Sequence, residues 1–142
     1  FKRVLDKLER EIDFKPLLKW IRQLIIEETE FNFSEEQTPD GGKWKQLKKA
    51  RADGSTNPIL NEFGDLEKSV TKIGALNNIN IVTKNTLEWG TSDSRAPTHQ
   101  YGDETRNIPK REFLGISDDL EKKIEEEIGL FVEQEILSRF SV

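Results

Sequence analysis

The chain has 142 residues, of which 34% are hydrophobic and 35% charged, and its net charge is −5. This length predicts a single domain, residues 1–142, that buries roughly two-thirds of the surface its unfolded form exposes. The acidic balance disfavours non-specific nucleic-acid binding over the whole surface, and the absence of cysteine excludes disulfides and thiolate metal sites. No apolar run approaches the ~20 residues of a membrane span.

The N-terminal part predicts two helices separated by a proline. Apolar residues recur at three- and four-residue steps from Val4 to Ile12, which places them on one helical face. Pro16 lacks an amide hydrogen and disfavours helix in the preceding residue, so one helix is expected to end there and another to begin. Trp20 and Ile26 widen the apolar stripe of the second helix. Burial in the core is favoured over contact with a neighbouring subunit.

The next segment combines a turn with the most basic part of the chain. Ser34 and Gln37 have the spacing of a capping box, which predicts the start of a further helix, and residues 39–42 form a strong turn signal. Trp44 lies within the basic stretch Lys43–Arg51 and is expected to fill the core while the lysines stay solvated. The alternative is a site for single-stranded nucleic acid, with phosphates on the lysines and a base on the tryptophan.

An antiparallel sheet is predicted after a turn-rich stretch. Residues 51–58 are expected to form a mobile loop. Alternation of β-branched and polar residues from Ser69 to Trp89 predicts strands, with a tight turn at Lys84 and Asn85. One face of this sheet is expected to be apolar. The other is expected to be solvated or to pair with another subunit, and its members are Asn80, Lys84 and Glu88.

The stretch from Thr98 to Gly115 holds the single histidine and the single tyrosine. Serine, histidine and aspartate occur near one another as Ser92, Ser94, His99 and Asp103, which raises the hypothesis of a small hydrolase. No glycine-flanked serine elbow supports it, and one imidazole cannot form a histidine-based zinc site. A carboxylate magnesium site is left open by composition alone. We therefore predict no catalytic, cofactor-binding or metal residue, no cofactor and no enzymatic activity.

A structural role explains the residue types of this stretch better. His99 and Tyr101 are expected on the same face of an extended segment, which Pro97 makes an edge or irregular strand. Arg111 offers a planar fork of donors for a carboxylate or for several carbonyls. Such a clamp would serve either a subunit interface or the fold of the domain itself. The residues expected to turn, direct or anchor the chain around it are Gly102, Pro109, Phe113, Leu114 and Gly115.

A long helix is predicted at the C-terminus. Ser117 is suited to cap it, and two aspartates follow at the positive end of the helix dipole. Gly129 costs helix stability and permits a bend or a close approach. The acidic face is expected to be solvated. The predicted apolar face comprises Leu120, Ile124, Ile128, Phe131, Val132 and Ile136.

Three motifs carry a resemblance to a known family. One motif, at 99–115, joins His99-x-Tyr-Gly102 to Ile108-Pro-x-Arg-x-Phe-Leu-Gly115. The other two lie upstream and read Pro39-x-Gly-x-x-Trp-x-x-Leu47 and Ile59-Leu-x-x-x-Gly-x-Leu-x-x-Ser-Val70. Over roughly Phe31 to Ile128 the chain resembles the phage virion morphogenesis (tail completion) family. It departs from many relatives before the histidine, where Arg95-Ala-Pro replaces a Tyr-Ala pair. The motif residues with an expected structural or interface role are Trp44, Leu47, Leu60, Gly64, Leu66, Ser69, His99, Tyr101, Gly102, Pro109, Arg111, Phe113, Leu114 and Gly115.

The patterns together predict an α+β fold, with N-terminal helices and a long C-terminal helix packed on an antiparallel sheet of three to five strands. The resemblance implies a non-enzymatic virion assembly protein of a phage or prophage that acts in tail completion and head–tail joining. It implies contacts with copies of itself in a ring, a hexamer by family analogy, and with tail and neck or connector proteins. The expected location is the head-proximal end of the tail in the virion, and the host bacterial cytoplasm during assembly. The alternative function is a nucleic-acid-binding accessory protein using Lys43–Arg51.

Overall fold

A computed structural model of the chain describes residues 2–47 and 64–140. The predicted mobile loop at 51–58 lies outside the described residues, as do Leu60 and the basic residues Lys48, Lys49 and Arg51. Within the described ranges the architecture is α+β, with five helices and two strands. The predicted fold class is therefore confirmed.

The proline-separated helical pair is confirmed. Helix α1 spans Lys2–Glu11 and helix α2 spans Lys15–Glu35, with Pro16 in the first turn of α2, where a missing amide hydrogen costs nothing. The stripe of α2 is buried at Leu17, Ile21 and Ile26 but not at Trp20, which is 46% exposed. The edge of the stripe at Ile26 therefore packs in the protein interior, whereas the edge at Trp20 faces solvent.

The predicted helix start at Ser34 is wrong. Ser34 lies in the last turn of α2, which continues to Glu35 because Asn32 and Phe33 extend the buried face of the helix. The helix stops at Glu36, which adopts the left-handed conformation (φ 53°, ψ 54°) and donates its amide to the carbonyls of Asn32 and Phe33. Tertiary burial has overridden a local capping signal.

The first predicted strand is also wrong. Residues Asp65–Thr71 form helix α3, preceded by Gly64 at φ 73°. Leu66, Ser69 and Val70 follow the i, i+3, i+4 spacing of a helix, and all three are buried. The alternation of residue types from Ser69 onward was the weaker signal, since it began inside this helix.

The sheet has two strands in the described ranges rather than three to five. Strand β1 (Asn78–Val82) pairs with β2 (Leu87–Thr91) in antiparallel register, with Asn80 opposite Trp89. The predicted turn is confirmed, since the Thr83 amide donates to the Thr86 carbonyl at its base. The predicted solvent face is wrong for Asn80. Its side-chain oxygen accepts a hydrogen bond from Arg22 of α2 at 3.0 Å, and Glu88 projects from the opposite face.

Two further helices, α4 (Ala96–Tyr101) and α5 (Asp118–Phe140), complete the described fold, and the hydrophobic cluster is built from α2, α3, α4 and the segments around Trp44 and Phe113. The Ser117 hydroxyl accepts a hydrogen bond from the Leu120 amide at 3.1 Å, which confirms the predicted cap. The cluster contains Phe33, Trp44, Leu66, Val70, Ala96 and Phe113, with Leu114 packed against it.

The apolar face of α5 is only partly covered. Leu120 is buried, and Phe131 packs on Phe14 with ring centroids 5.8 Å apart. Ile128 and Ile136 are 40% and 38% exposed. A Cβ on Gly129 would meet no atom within 4 Å, so no close approach within the described chain requires this glycine. In the described ranges, none of the helices combines the length and apolar character needed to cross a membrane.

Candidate functional site

The histidine and tyrosine of the signature stretch lie on a helix, not on the extended segment predicted. Pro97 occupies the first turn of α4, so the residue expected to mark an edge strand instead helps to begin a helix. Two residues along a helix turn the side chain by about 200°. His99 is accordingly half-buried, whereas Tyr101 is 75% exposed.

Gly102 ends α4 in a conformation that other residues avoid. Its φ is 77° and its ψ 170°, and a Cβ would lie 2.9 Å from the Lys110 backbone nitrogen. The polar loop beyond it is closed by paired backbone hydrogen bonds between Asp103 and Ile108. The predicted turn at this glycine is therefore confirmed.

The Asp103 carboxylate organises that loop. It accepts hydrogen bonds from the Thr105 hydroxyl at 2.6 Å and from Nε of Arg106 at 2.7 Å. These bonds lower the pKa of Asp103 to about 2, the bond from Thr105 contributing most. Arg106 also donates to the Thr98 hydroxyl at 3.0 Å, so the loop is tied back to α4.

Gln100 joins α4 to the returning chain, a role that sequence reasoning missed. Its Nε2 donates to the Leu114 carbonyl at 2.7 Å, and its Oε1 accepts from the amides of Phe113 and Leu114 at 3.1 and 3.2 Å. The side-chain amide of Gln100 thus forms the hydrogen bonds that a neighbouring strand would form with the main chain of residues 113–114. A glutamine between His99 and Tyr101 gave no signal that distinguished it from an exposed polar residue.

Arg111 clamps main-chain carbonyls, one of the two targets predicted for it. The side chain is 6% exposed, and it donates from Nε to the Lys45 carbonyl at 2.8 Å and from Nη2 to the Gln46 carbonyl at 3.3 Å. Its amide donates to the His99 carbonyl at 2.8 Å. Arg111 therefore joins the returning chain to the segment after Trp44 through its side chain and to α4 through its backbone amide.

Trp44 joins the same segments from inside the core. It is 3% exposed, its Nε1 donates to the Glu112 carbonyl at 2.8 Å, and its ring meets Phe33 edge-on with centroids 5.6 Å apart. The prediction that Trp44 fills the core is confirmed. Leu47, from the same motif, is instead 42% exposed.

The other motif residues mostly support this junction. Phe113 is 1% exposed and packs on Phe33 with centroids 5.5 Å apart. A Cβ on Gly115 would lie 2.9 Å from Pro39 Cγ, so the two motifs touch there as well. Pro109 and Leu114 are half-buried. The structure thus brings together the motif at 39–47 and the motif at 99–115, which are distant in sequence.

His99 lies beside this junction. Among the described residues its buried Nδ1 has no hydrogen-bond partner. Burial, and then the positive charges of Arg111 and Arg95, lower its pKa. Asp93 is bound instead to Arg95 at 2.7 Å, a bond that lowers the pKa of Asp93 and raises that of Arg95.

The basic stretch is described only as far as Leu47. There Lys43 donates to the Glu35 carbonyl at 2.9 Å and lies 3.6 Å from the Glu35 carboxylate. Lys45 is exposed, as predicted. Nucleic-acid binding by this stretch stays a prediction. Among the described residues, no group of three or more histidines or acidic residues is placed to hold a metal ion.

An open groove of about 530 Å³ runs between β2, α4 and the returning chain. Its walls include the side chains of Trp89, Pro97, Gln100, Tyr101 and Leu114. The signature stretch therefore contributes Phe113 to the core and lines this surface groove with Gln100, Tyr101, Phe113 and Leu114.

Further apolar side chains are exposed on α1 and along the second half of α5. Arg139 lies 3.0 Å from the Glu11 carboxylate and links the two helices. Val4 and Leu5 are 51% and 48% exposed on α1, in which no residue is buried. The exposed apolar residues of α5 are Ile128, Leu130, Ile136, Leu137 and Phe140. These side chains of α1 and α5 are called the α1/α5 surface below.

The geometry therefore defines a small α+β protein whose motif residues form an internal junction and whose helices expose apolar surface. Comparison with protein families matches residues 1–133 to the phage virion morphogenesis family. Since this match covers most of the 142 residues, the chain belongs to that family, which gives it a role in phage virion assembly. No curated protein and no solved structure matches the chain significantly.

Proposed function

We propose that the protein acts in tail completion and head–tail joining of a phage or prophage, by protein–protein contacts and without catalysis. Its partners would be copies of itself in a ring, and tail and neck or connector proteins. It would assemble in the host cytoplasm and remain at the head-proximal end of the tail. Membership of the virion morphogenesis family supports this proposal at the level of phage assembly.

The observation that carries the binding mechanism is the α1/α5 surface. Helix α1 has ten residues, none of them buried, although its apolar side chains lie on one face. A helix this short is marginal in water unless its apolar face packs on something. Scattered exposed apolar residues are ordinary, but a group shared by two adjoining helices is typical of an interaction site. Contact with another protein would bury the exposed apolar side chains of α1 and α5.

Deletion of the gene, followed by electron microscopy of the lysate, tests the assembly step. The expected result is full heads beside separate, unjoined tails. Normally joined particles would overturn the proposal.

Complementation of the deletion then tests the surface. The double variant Val4→Glu/Leu137→Glu places charge on two side chains that are already half or more exposed, so it should fold with an unchanged circular dichroism spectrum. We expect it to lower the yield of infectious particles at least a hundredfold. Leu76→Glu is the matched control, because Leu76 is 73% exposed and outside this surface. Equal yields from both variants would argue against the α1/α5 surface.

A further inference from the structure

Five exposed side chains form a stripe along the second half of α5. They follow one another at alternating steps of four and three residues, which keeps them on one face of a helix. Ile124 and Phe131, which are half-buried, lie on a different side of the same helix, where Phe131 packs on Phe14. The stripe is called the outer stripe below, and its members are Glu126, Leu130, Glu133, Leu137 and Phe140.

A stripe with this spacing is suited to contact with another helix. Apolar residues that repeat every 3.5 residues on average stay on the line along which two helices pack, and Leu130, Leu137 and Phe140 are each more than half exposed. The stripe also holds Glu126 and Glu133. Neither forms an ion pair within 4.0 Å with another described residue. The helix that covers this stripe is therefore expected to combine apolar residues with positive charge.

Helix α1 has such a face. Val4 and Leu5 are about half exposed, and no residue of α1 is buried. Lys2 precedes Leu5 by three residues and Lys7 follows Val4 by three, so a lysine lies beside the apolar pair at each end. Among the described residues Lys2 forms no ion pair, and Lys7 forms only an exposed one, to Glu11 at 3.8 Å.

The two faces also match in length. At the rise of an α-helix, Lys2 and Lys7 are roughly 8 Å apart along the axis, and Glu126 and Glu133 are roughly 10 Å apart. Long lysine side chains span this difference. Within one copy the two faces do not cover each other, because the apolar side chains of both are about half or more exposed.

The charges decide which contact between copies is favoured. Copies could pair α1 with α1, α5 with α5, or α1 with α5. The first arrangement brings lysines together and the second brings glutamates together, and like charges in contact oppose association. The third places lysines against glutamates. It joins two different surfaces, so the contact repeats from copy to copy and generates a ring if the rotation closes.

We propose that α1 of one copy packs on the outer stripe of a second copy, with Lys2 and Lys7 facing Glu126 and Glu133. Because it names the partner of the α1/α5 surface, this inference rests on the proposed function. The two proposals fail separately. Joined particles in the lysate experiment would remove the role in tail completion and leave this contact standing. A chain that stays monomeric would remove the contact and leave tail and neck proteins as partners.

Sedimentation velocity of the full chain tests the contact. The unchanged protein is expected to associate as its concentration rises to about 0.5 mM, because an interface of this size is weak. Val4→Asp/Leu5→Asp blocks α1, Leu130→Asp/Leu137→Asp blocks the outer stripe, and each variant alone should be monomeric. An equimolar mixture should form a dimer and nothing larger, since it offers one intact α1 to one intact stripe. Leu76→Asp, at an exposed position outside both faces, should associate like the unchanged protein.

Charge exchange tests the same contact without altering an apolar side chain. Lys2→Glu/Lys7→Glu should weaken association at least tenfold. Adding Glu126→Lys/Glu133→Lys to the same chain should restore association to within threefold of the unchanged protein, because each lysine again faces a glutamate.

A control pair and the fold of each variant complete the experiment. Lys19→Glu/Lys68→Glu makes the same change in net charge at exposed positions elsewhere and should alter association less than threefold. Circular dichroism is measured for every variant, and charge exchange decides the outcome if the blocked α1 loses its helix. A monomeric unchanged protein, dimers of one blocked variant alone, a mixture that stays monomeric, or no recovery on charge exchange would each overturn the proposal.

Discussion

Nε of Arg111 lies 2.8 Å from the main-chain oxygen of Lys45, a residue 66 positions earlier in the chain. With the bond from Nη2 to Gln46, this contact holds an otherwise exposed segment beside the core. Trp44 precedes that segment and bonds to Glu112, the residue after Arg111. The two side chains therefore bond reciprocally to the main chain of each other's segment. Both hydrogen bonds require the two segments to lie side by side, so displacing either segment would break both bonds.

Replacing Arg111 with lysine should destabilise the protein by about 1–3 kcal/mol, because a single ammonium cannot reproduce the fork that reaches two carbonyls. Burial already lowers the pKa of this side chain, so a lysine there would also be poorly solvated. Urea denaturation followed by circular dichroism measures the change. Arg106→Lys is the control, since Arg106 pairs with Asp103 at the surface and should cost less than about 1 kcal/mol. Equal midpoints for Arg111→Lys and the unchanged protein would refute the clamp.

Replacing Trp44 with phenylalanine should cost about 2 kcal/mol or more. The change leaves the Glu112 carbonyl without its indole donor and opens space beside Phe33. Trp20→Phe provides a matched control, because Trp20 is 46% exposed and its replacement should stay within about 0.5 kcal/mol. Thermal unfolding of the two variants gives the comparison. A larger loss from Trp20→Phe would contradict the assignment of Trp44 to the core.

Gly102→Ala should destabilise by about 2 kcal/mol or more, whereas Gly129→Ala should stabilise by up to about 1 kcal/mol. At Gly102 both the backbone angles and the 2.9 Å approach to Lys110 exclude a side chain. At Gly129 a Cβ meets nothing within 4 Å, and alanine is the better helix former. Gly41→Ala measures the cost of the positive φ angle alone, since Gly41 has φ 95° but no atom within 4 Å of an added Cβ. Chemical denaturation that ranked Gly102→Ala milder than Gly41→Ala would show that the close approach is relieved cheaply.

The sequence predicted local features where a single residue type dictates the backbone. Pro16 fixed the break between α1 and α2, Ser117 the start of α5, and Gly102 the turn after α4. It failed where burial overrode local preference. Ser34 has a capping sequence but lies within a helix, because Phe33 beside it is buried. The alternation that began at Ser69 corresponds to strands only from Asn78 onward, since Leu66, Ser69 and Val70 form a buried helical face.

Most members of the candidate site were predictable from the sequence, but Gln100 and the geometry of the site were not. Arg111 was expected to bind a carboxylate or several carbonyls, and only the fold could show that the carbonyls belong to Lys45 and Gln46. Gln100 escaped notice because its role depends on two amides and one carbonyl supplied by residues 113–114.

The stability of the protein should fall as the pH drops from about 7 toward 5, and His99 should account for part of the loss. Burial, with the charges of Arg111 and Arg95, lowers the pKa of His99 below its ordinary value of 6.5. Between the lowered value and 6.5 the unfolded chain binds more protons than the folded one. Stability therefore rises with pH in this window and is lost as pH falls through it.

Replacing His99 with glutamine removes this titration, so the difference in unfolding free energy between the two proteins should shrink as the pH falls. The comparison with the His99→Gln variant is needed because Glu67 has the opposite effect on the pH dependence of stability. Burial raises its pKa above 4.5, so its protonation favours the folded state as the pH drops. Urea midpoints at pH 7.5, 6.5, 5.5 and 5.0, values chosen to bracket the ordinary pKa of 6.5, would measure both curves. A constant difference between them across that range would mean that His99 is protonated equally easily in the folded and unfolded states, and the lowered pKa of His99 would have to be abandoned.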